Sequence, residues 1–310
     1  MLEDLVVWYL FLGGAGAGLL FVSAVLESLS PRAIDGVRAD RDGCYAPRLA
    51  YRRFFGPAYG TGIAAVALGM FCLLLDLGRS DRALSLFFQP TLSFIAVGAY
   101  ALIALMVLAA VLVAVWVFGF DFLPRLAARV VRAAVAVVAF IVMAYTGLFL
   151  SSMPSVPLWA TFWIPVLFVA SALSSGIALL VCAVVLTGSS EEFASTLRRM
   201  QKIDAVVIAC ELVVLVLFVA SAYVGSETAR LSAGRLVQGD LAAAFWGFAV
   251  VLGLIVPLVC EMLNGKAGMR AAVVAGILVL VGGFFLRWCI AQAGMAPDIV
   301  ASVMGVLGIQ

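Results

Sequence analysis

The sequence contains no histidine. Haem-carrying membrane anchors hold their iron through axial imidazole, and histidine is the commonest metal ligand. Its absence excludes a membrane cytochrome b and any His-based zinc or di-iron centre. Charge is scarce as well. Asp, Glu, Lys and Arg make up 12% of 310 residues, where a soluble domain carries about 25%. So little charge cannot coat a water-facing surface. The formal net charge is +2, and no basic tract or aromatic-studded basic strand is present, which sets nucleic-acid binding aside. The six cysteines, Cys44, Cys72, Cys182, Cys210, Cys260 and Cys289, include no CxxC pair. An iron–sulfur cluster bound by this chain alone is thereby disfavoured. All but Cys44 fall in apolar runs and are expected to be small buried hydrophobes.

What is abundant is apolar: 65% of residues are hydrophobic and the mean hydropathy is +1.21. The chain reads as a polytopic membrane protein. About 20 apolar residues span a bilayer, and eight such runs occur: Leu5–Leu29, Tyr59–Leu77, Thr91–Val117, Val130–Leu150, Leu158–Leu186, Ile203–Val224, Leu241–Leu263 and Ala271–Ala291. Each is expected to be helical, because an isolated strand in lipid leaves its backbone unpaired. The fold class is therefore an all-α membrane protein with eight transmembrane helices. The first run, flanked by Glu3 and Asp4 and too long for a signal core, is expected to stay as helix one. Pro57, Pro90 and Pro157 are expected at or just before helix starts, while Pro165 and Pro257 are expected to kink the fifth and seventh helices.

Orientation follows from the basic residues. Arg32, Arg38, Arg41, Arg48, Arg52, Arg53, Arg125, Arg129, Arg132, Arg198, Arg199, Lys202, Lys266 and Arg270 follow the odd-numbered runs, 14 of the 19. Their face is expected to be cytoplasmic, with both termini extracytoplasmic. Runs one and five share an aromatic start and a later small-residue stretch: Gly13–Gly18 after Trp8, and Ala170–Gly176 after Trp163. Two parallel four-helix halves would produce this echo, and so would tight packing of any two membrane helices.

Several residues invite chemistry. Gly13–Gly18 lacks a preceding strand, so a dinucleotide loop is excluded and close helix packing is expected. Leu75-Asp76-Leu77-Gly78-Arg79-Ser80-Asp81-Arg82 closes the second run. Asp76 and Arg79, three apart, share a face if the helix persists. They read as an interfacial ion pair, or as an anchor for a partner or a polar headgroup. Tyr145 lies about 8 Å below the outer end of the fourth run, where its hydroxyl needs a partner. It reads as a hydrogen-bond donor to a carbonyl ligand, or as an interfacial anchor. Glu27, Glu211, Glu261 and Arg287 lie in or near the spans, where ionisable groups mark function. Glu211 is deepest, whereas Glu27 and Glu261 are expected to reach water at the inner ends. Arg287 is expected to face Asp76 or extend outward.

Trp8-Tyr9-Leu10-Phe11-Leu12-Gly13-Gly14, Leu75-Asp76-Leu77-Gly78-Arg79, Phe87-Phe88-Gln89-Pro90-Thr91-Leu92-Ser93 and Tyr145-Thr146-Gly147 resemble the NrfD/PsrC family, membrane anchor subunits of molybdenum-containing oxidoreductases. The resemblance implies two four-helix bundles, residues 1–152 forming the quinone-site half and 153–310 the second. It implies no haem and no metal in this chain, a bound menaquinone-type quinone, a four-cluster ferredoxin-like iron–sulfur subunit docked on the outer face, and a molybdopterin catalytic subunit beyond it. On that reading Tyr145, Asp76 and Arg79 form the quinone site, Asp76 and Glu211 move protons, and Arg79 and Arg82 dock the partner. The lack of histidine departs from family members that place one near the quinone. A proton-coupled secondary transporter and a purely structural anchor are the competing readings.

Overall fold

The computed structural model describes residues 4–30, 49–76, 94–120, 123–153, 156–189, 191–263 and 269–295. These form α1 (Asp4–Ser28), α2 (Leu49–Asp76), α3 (Phe94–Val113, continued by a π-helical turn Ala114–Phe118), α4 (Arg125–Ser151), α5 (Trp163–Leu186), α6 (Ala194–Val224), α7 (Glu227–Val237), a π-helical segment Ala244–Ile255 leading into α8 (Val256–Leu263), and α9 (Met269–Gly294). Eight helices are long and apolar enough to cross a membrane, one for each predicted run. The short α7 is additional. Ser226 caps its start, its hydroxyl accepting from the Ala229 N–H, and Glu227 and Arg235 suit the dipole at its two ends.

Three local expectations change. α2 begins ten residues before the predicted run, so Pro57 sits inside the helix as its ninth residue. The early turns are held by aromatic packing: Phe54 and Phe55 are buried and pack on Phe193 and Trp116. Pro165 is the third residue of α5, in the first turn, where a missing N–H is harmless. Pro257 is the second residue of α8, one residue beyond the π-helical segment. Wider turns just before a proline relieve the clash that its ring would cause in a regular helix. Among the described cysteines Cys182 and Cys289 are buried, whereas Cys210 is exposed on α6.

α1 and α5 are the most enclosed of the spans. α1 packs on α2, α4, α5 and α9, and α5 packs on α1, α2, α4, α6 and α9. Their crossing depends on two glycines. A Cβ on Gly18 would overlap the Ala172 carbonyl, and one on Gly176 would overlap the Gly18 backbone. The two small-residue stretches singled out in the sequence thus meet each other at backbone contact. The outer helices carry their apolar side chains outward, as with Val206, Val213, Val216 and Val224 on α6. In water such a face would be costly; in lipid it is the solvated surface.

Candidate functional site

Successive spans run in opposite directions, so one face, the N face, holds the start of α1 and the end of α4. Tyr145 lies six residues before the end of α4 and Tyr9 five residues after the start of α1. Both sit near the N face at similar depth. Tyr145 is 7% exposed and Tyr9 is 4% exposed, close enough for the two phenols to influence each other electrostatically. The Tyr145 ring lies against Gly98 of α3, where any Cβ would overlap it, and packs on Phe149 with ring centroids 6.1 Å apart. Neither hydroxyl hydrogen-bonds to a described residue. Neither hydroxyl is sealed off by its neighbours, so the pair offers two donors to an acceptor ligand. Asp76 is the last residue of α2 and is partly exposed. Arg79 and Arg82, expected beside it, lie outside the described residues.

Deeper, Arg287 of α9 is fully buried. It neither extends outward nor stands over Asp76, as the sequence suggested. Its Nη1 donates to Ser171 Oγ (3.1 Å) and to the Gly283 carbonyl (2.9 Å), and Nη2 donates to the Phe168 carbonyl (3.5 Å). The guanidinium lies over the rings of Phe168 and Phe11, 5.2 and 5.7 Å from their centroids. Gly14 makes the room: a Cβ there would come within 3.2 Å of Nη2. Glu211 of α6, 2% exposed, faces Ser171 and feels the charge of Arg287. Ser171 accepts from the guanidinium and stands beside the Glu211 carboxylate, so it lies between the two charges. An unpaired charge at this depth would be prohibitive.

Toward the opposite face lies a group that the sequence did not single out. Asp204 is seven residues before Glu211 on α6, hence on the same side two turns away. It is 1% exposed and faces Ser174 of α5 and Glu261 of α8. The i, i+7 acid spacing was the available signal. Glu261 is partly buried and engaged with Asp204, where the sequence suggested simple exposure to water. Glu27 also departs from that expectation. It is 1% exposed; its Oε1 pairs with Arg132 Nη1 at 3.1 Å, and its Oε2 accepts from the Tyr59 hydroxyl at 2.6 Å. Arg132, counted above among the loop charges, is therefore a buried ion-pair member. Among the described residues no group of three or more His, Cys, Asp or Glu could hold a metal.

The sequence matches the family described as "Polysulphide reductase, NrfD" over residues 3–297. The chain belongs to the NrfD family. Among relatives of this NrfD-family protein, "Protein NrfD" of Escherichia coli is 27% identical over 307 residues, covering 92% of both sequences. The C subunit of polysulfide reductase from Wolinella succinogenes is 34% identical over 172 residues, 54% of both. A homolog of NrfD in Haemophilus influenzae is 27% identical over 161 residues, 51% of this sequence and 50% of its own. Membership rests on nearly the whole length, so it covers both tyrosines and both buried charge groups.

Proposed function

We propose that this protein is a quinone-interacting membrane anchor, exchanging electrons between menaquinone or menaquinol and a docked ferredoxin-like iron–sulfur subunit that serves a molybdopterin catalytic subunit. Family membership supports a membrane subunit of a redox complex, and a relative named as one lettered component of a reductase fits a multi-subunit assembly. The observation that carries the ligand site is the Tyr9–Tyr145 pair: two largely buried phenols on adjacent helices, both hydroxyls unused by the described residues. They fit a flat ligand with carbonyl oxygens. A quinone supplies two-electron, two-proton chemistry when bound. The residues of this protein orient its headgroup through the phenols, exclude water with Phe149 and the α3–α4 contact, and hold protons at the Asp76 and Glu211 carboxylates. Arg79 and Arg82 complete the site and the docking edge on this reading. The two small-residue stretches of α1 and α5 support two bundles, residues 1–152 and 153–310, joined where those helices cross. The basic majority on the face opposite the N face supports a cytoplasmic membrane location with both termini outside.

One observation favours the transporter reading. Buried ionisable groups lie in both halves, Glu27 paired with Arg132 and Glu211 near Arg287, a pattern that suits coupled transport. Family membership weighs for the redox anchor.

The deciding assay is quinol-linked electron transfer in membranes, beside a dye-linked assay of the catalytic subunit. Tyr145→Phe should lower the quinol rate by up to about tenfold, the worth of one neutral hydrogen bond. Asp76→Asn should slow turnover, and both variants should leave the dye-linked rate intact. Wild-type quinol activity in both variants would move the site away from the N face.

A further inference from the structure

On the face opposite the N face, a cleft of about 670 Å³ opens between the first turns of α2, the end of α3 and the turn after α5. Its volume is that of an ordinary ligand site. Arg52 and Arg53 stand at its rim, and Gly56, Pro57, Gly60 and Trp116 form much of its wall. The space is real on both sides: a Cβ on Gly60 or on Gly188 would meet nothing within 4 Å. An open cleft of this size fills with whatever surrounds it, water at a polar rim and lipid where an apolar wall meets the bilayer.

The two arginines differ. Arg52 is anchored, its Nε donating to the Trp116 carbonyl at 3.1 Å and its Nη2 to the Val117 carbonyl at 2.7 Å. Those bonds cover the carbonyls at the end of α3, whose partial negative charge would otherwise face the cleft. Arg53 is exposed and makes no hydrogen bond or ion pair with a described residue. Below it Gly56, Pro57 and Gly60 follow at helical spacing, so a smooth wall descends from a free cation into the apolar zone. Cation above and a smooth glycine-and-proline wall below match an anionic headgroup and the top of an acyl tail.

We propose that this cleft holds one anionic phospholipid, its phosphate against Arg53 and Arg52 and one acyl tail along the Gly56–Gly60 wall. The site is separate from the tyrosine pair and needs no quinone chemistry. The test is native mass spectrometry of the intact protein released from nanodiscs of phosphatidylglycerol or phosphatidylcholine. One phosphatidylglycerol should be retained per protein molecule, and phosphatidylcholine should not. Arg53→Gln should lower retention about fivefold, the ratio that one basic group contributes near an anionic surface. Gly60→Leu, which keeps both arginines and fills the wall, should lower it too. Arg199→Gln, on the same face outside the cleft, should leave it unchanged, and all three should elute as folded protein in size exclusion. Equal retention of the two lipids, or wild-type retention by Arg53→Gln, overturns the assignment. So does displacement of the lipid by inorganic phosphate alone, which would mark a free-anion site, or recovery of a quinone in the lipid's place.

Discussion

Removing Arg132 while leaving Glu27 in place should cost far more than removing both. The Glu27 carboxylate has each oxygen engaged, one by Arg132 and one by the Tyr59 hydroxyl, and all three residues are at most 5% exposed. Arg132→Met keeps most of the side-chain volume but takes a charged partner away from a buried carboxylate between α1, α2 and α4. Stranding one member of a buried pair costs about 3–5 kcal/mol. Tyr59→Phe deletes one charge-assisted hydrogen bond, about 1.5–3 kcal/mol. The double change Glu27→Leu with Arg132→Met removes both charges, and such replacements are often neutral or stabilising. It should therefore stand close to wild type and well above Arg132→Met alone. The assay is reversible unfolding in mixed micelles against rising SDS, followed by tryptophan fluorescence, with wild type, Glu27→Leu, Arg132→Met and the double variant closing a double-mutant cycle. A coupling below about 1 kcal/mol would refute the argument. So would a double variant as unstable as the sum of its parts, because the trio would then be incidental to the packing.

Gly176→Leu should prevent assembly of the α1–α5 crossing, since its side chain would overlap the Gly18 backbone. It should cost at least about 1–3 kcal/mol, whereas Gly247→Leu, facing open space, should be tolerated; yield after size exclusion distinguishes them. A reporter that works only outside the cytoplasm should be active at the C-terminus, and activity of a strictly cytoplasmic reporter there would reverse the orientation. Between α7 and the next span, Arg235 grips Asp240 through two bonds of 3.1 and 2.6 Å and holds its carboxyl below the usual carboxylate range. A lowered folded-state value means that the clamp contributes above the unfolded value of about 3.9 and is lost as pH falls through the lower folded one. Amide protection around Gly239, taken relative to the intrinsic exchange rate at each pH, should fall only on that acid side, and Arg235→Gln should abolish that fall.

The eight spans were readable because bilayer thickness imposes a length and lipid tolerates little charge. The start of α2 was not, because Arg52 and Arg53 interrupt the apolar signal there although Phe54 and Phe55 continue the buried face. α7 was missed for the opposite reason: it is short and polar, though the Ser226–Glu227 start is a readable cap. Of the candidate site, Tyr145 and Glu211 were legible as polar groups at depths where they need partners. Their partners were not. Which acid meets Arg287 depends on how α5, α6 and α9 are arranged, and no spacing within one helix encodes that. Asp204 was hidden differently: one acid near the start of a long apolar run looks like an edge residue until the helix is seen to begin ten residues earlier, at Ala194.

The glycine crossing of α1 and α5 also sets an order of events during synthesis. About 160 residues separate Gly18 from Gly176. At roughly 5–20 residues per second, α1 waits about 8–30 s for the helix that covers it. Throughout that time it must be stable in lipid by itself, which its unbroken apolar sequence permits. Glu211 faces a harder wait. It leaves the ribosome well before Arg287, so the acid enters the bilayer ahead of the buried cation near it. Until α9 arrives, the hydroxyl of Ser171, on the already inserted α5, is the polar group nearest to hand. A protein truncated before α9 should therefore be recognised as unfinished by the cell's membrane proteases, even though seven of its spans are in place.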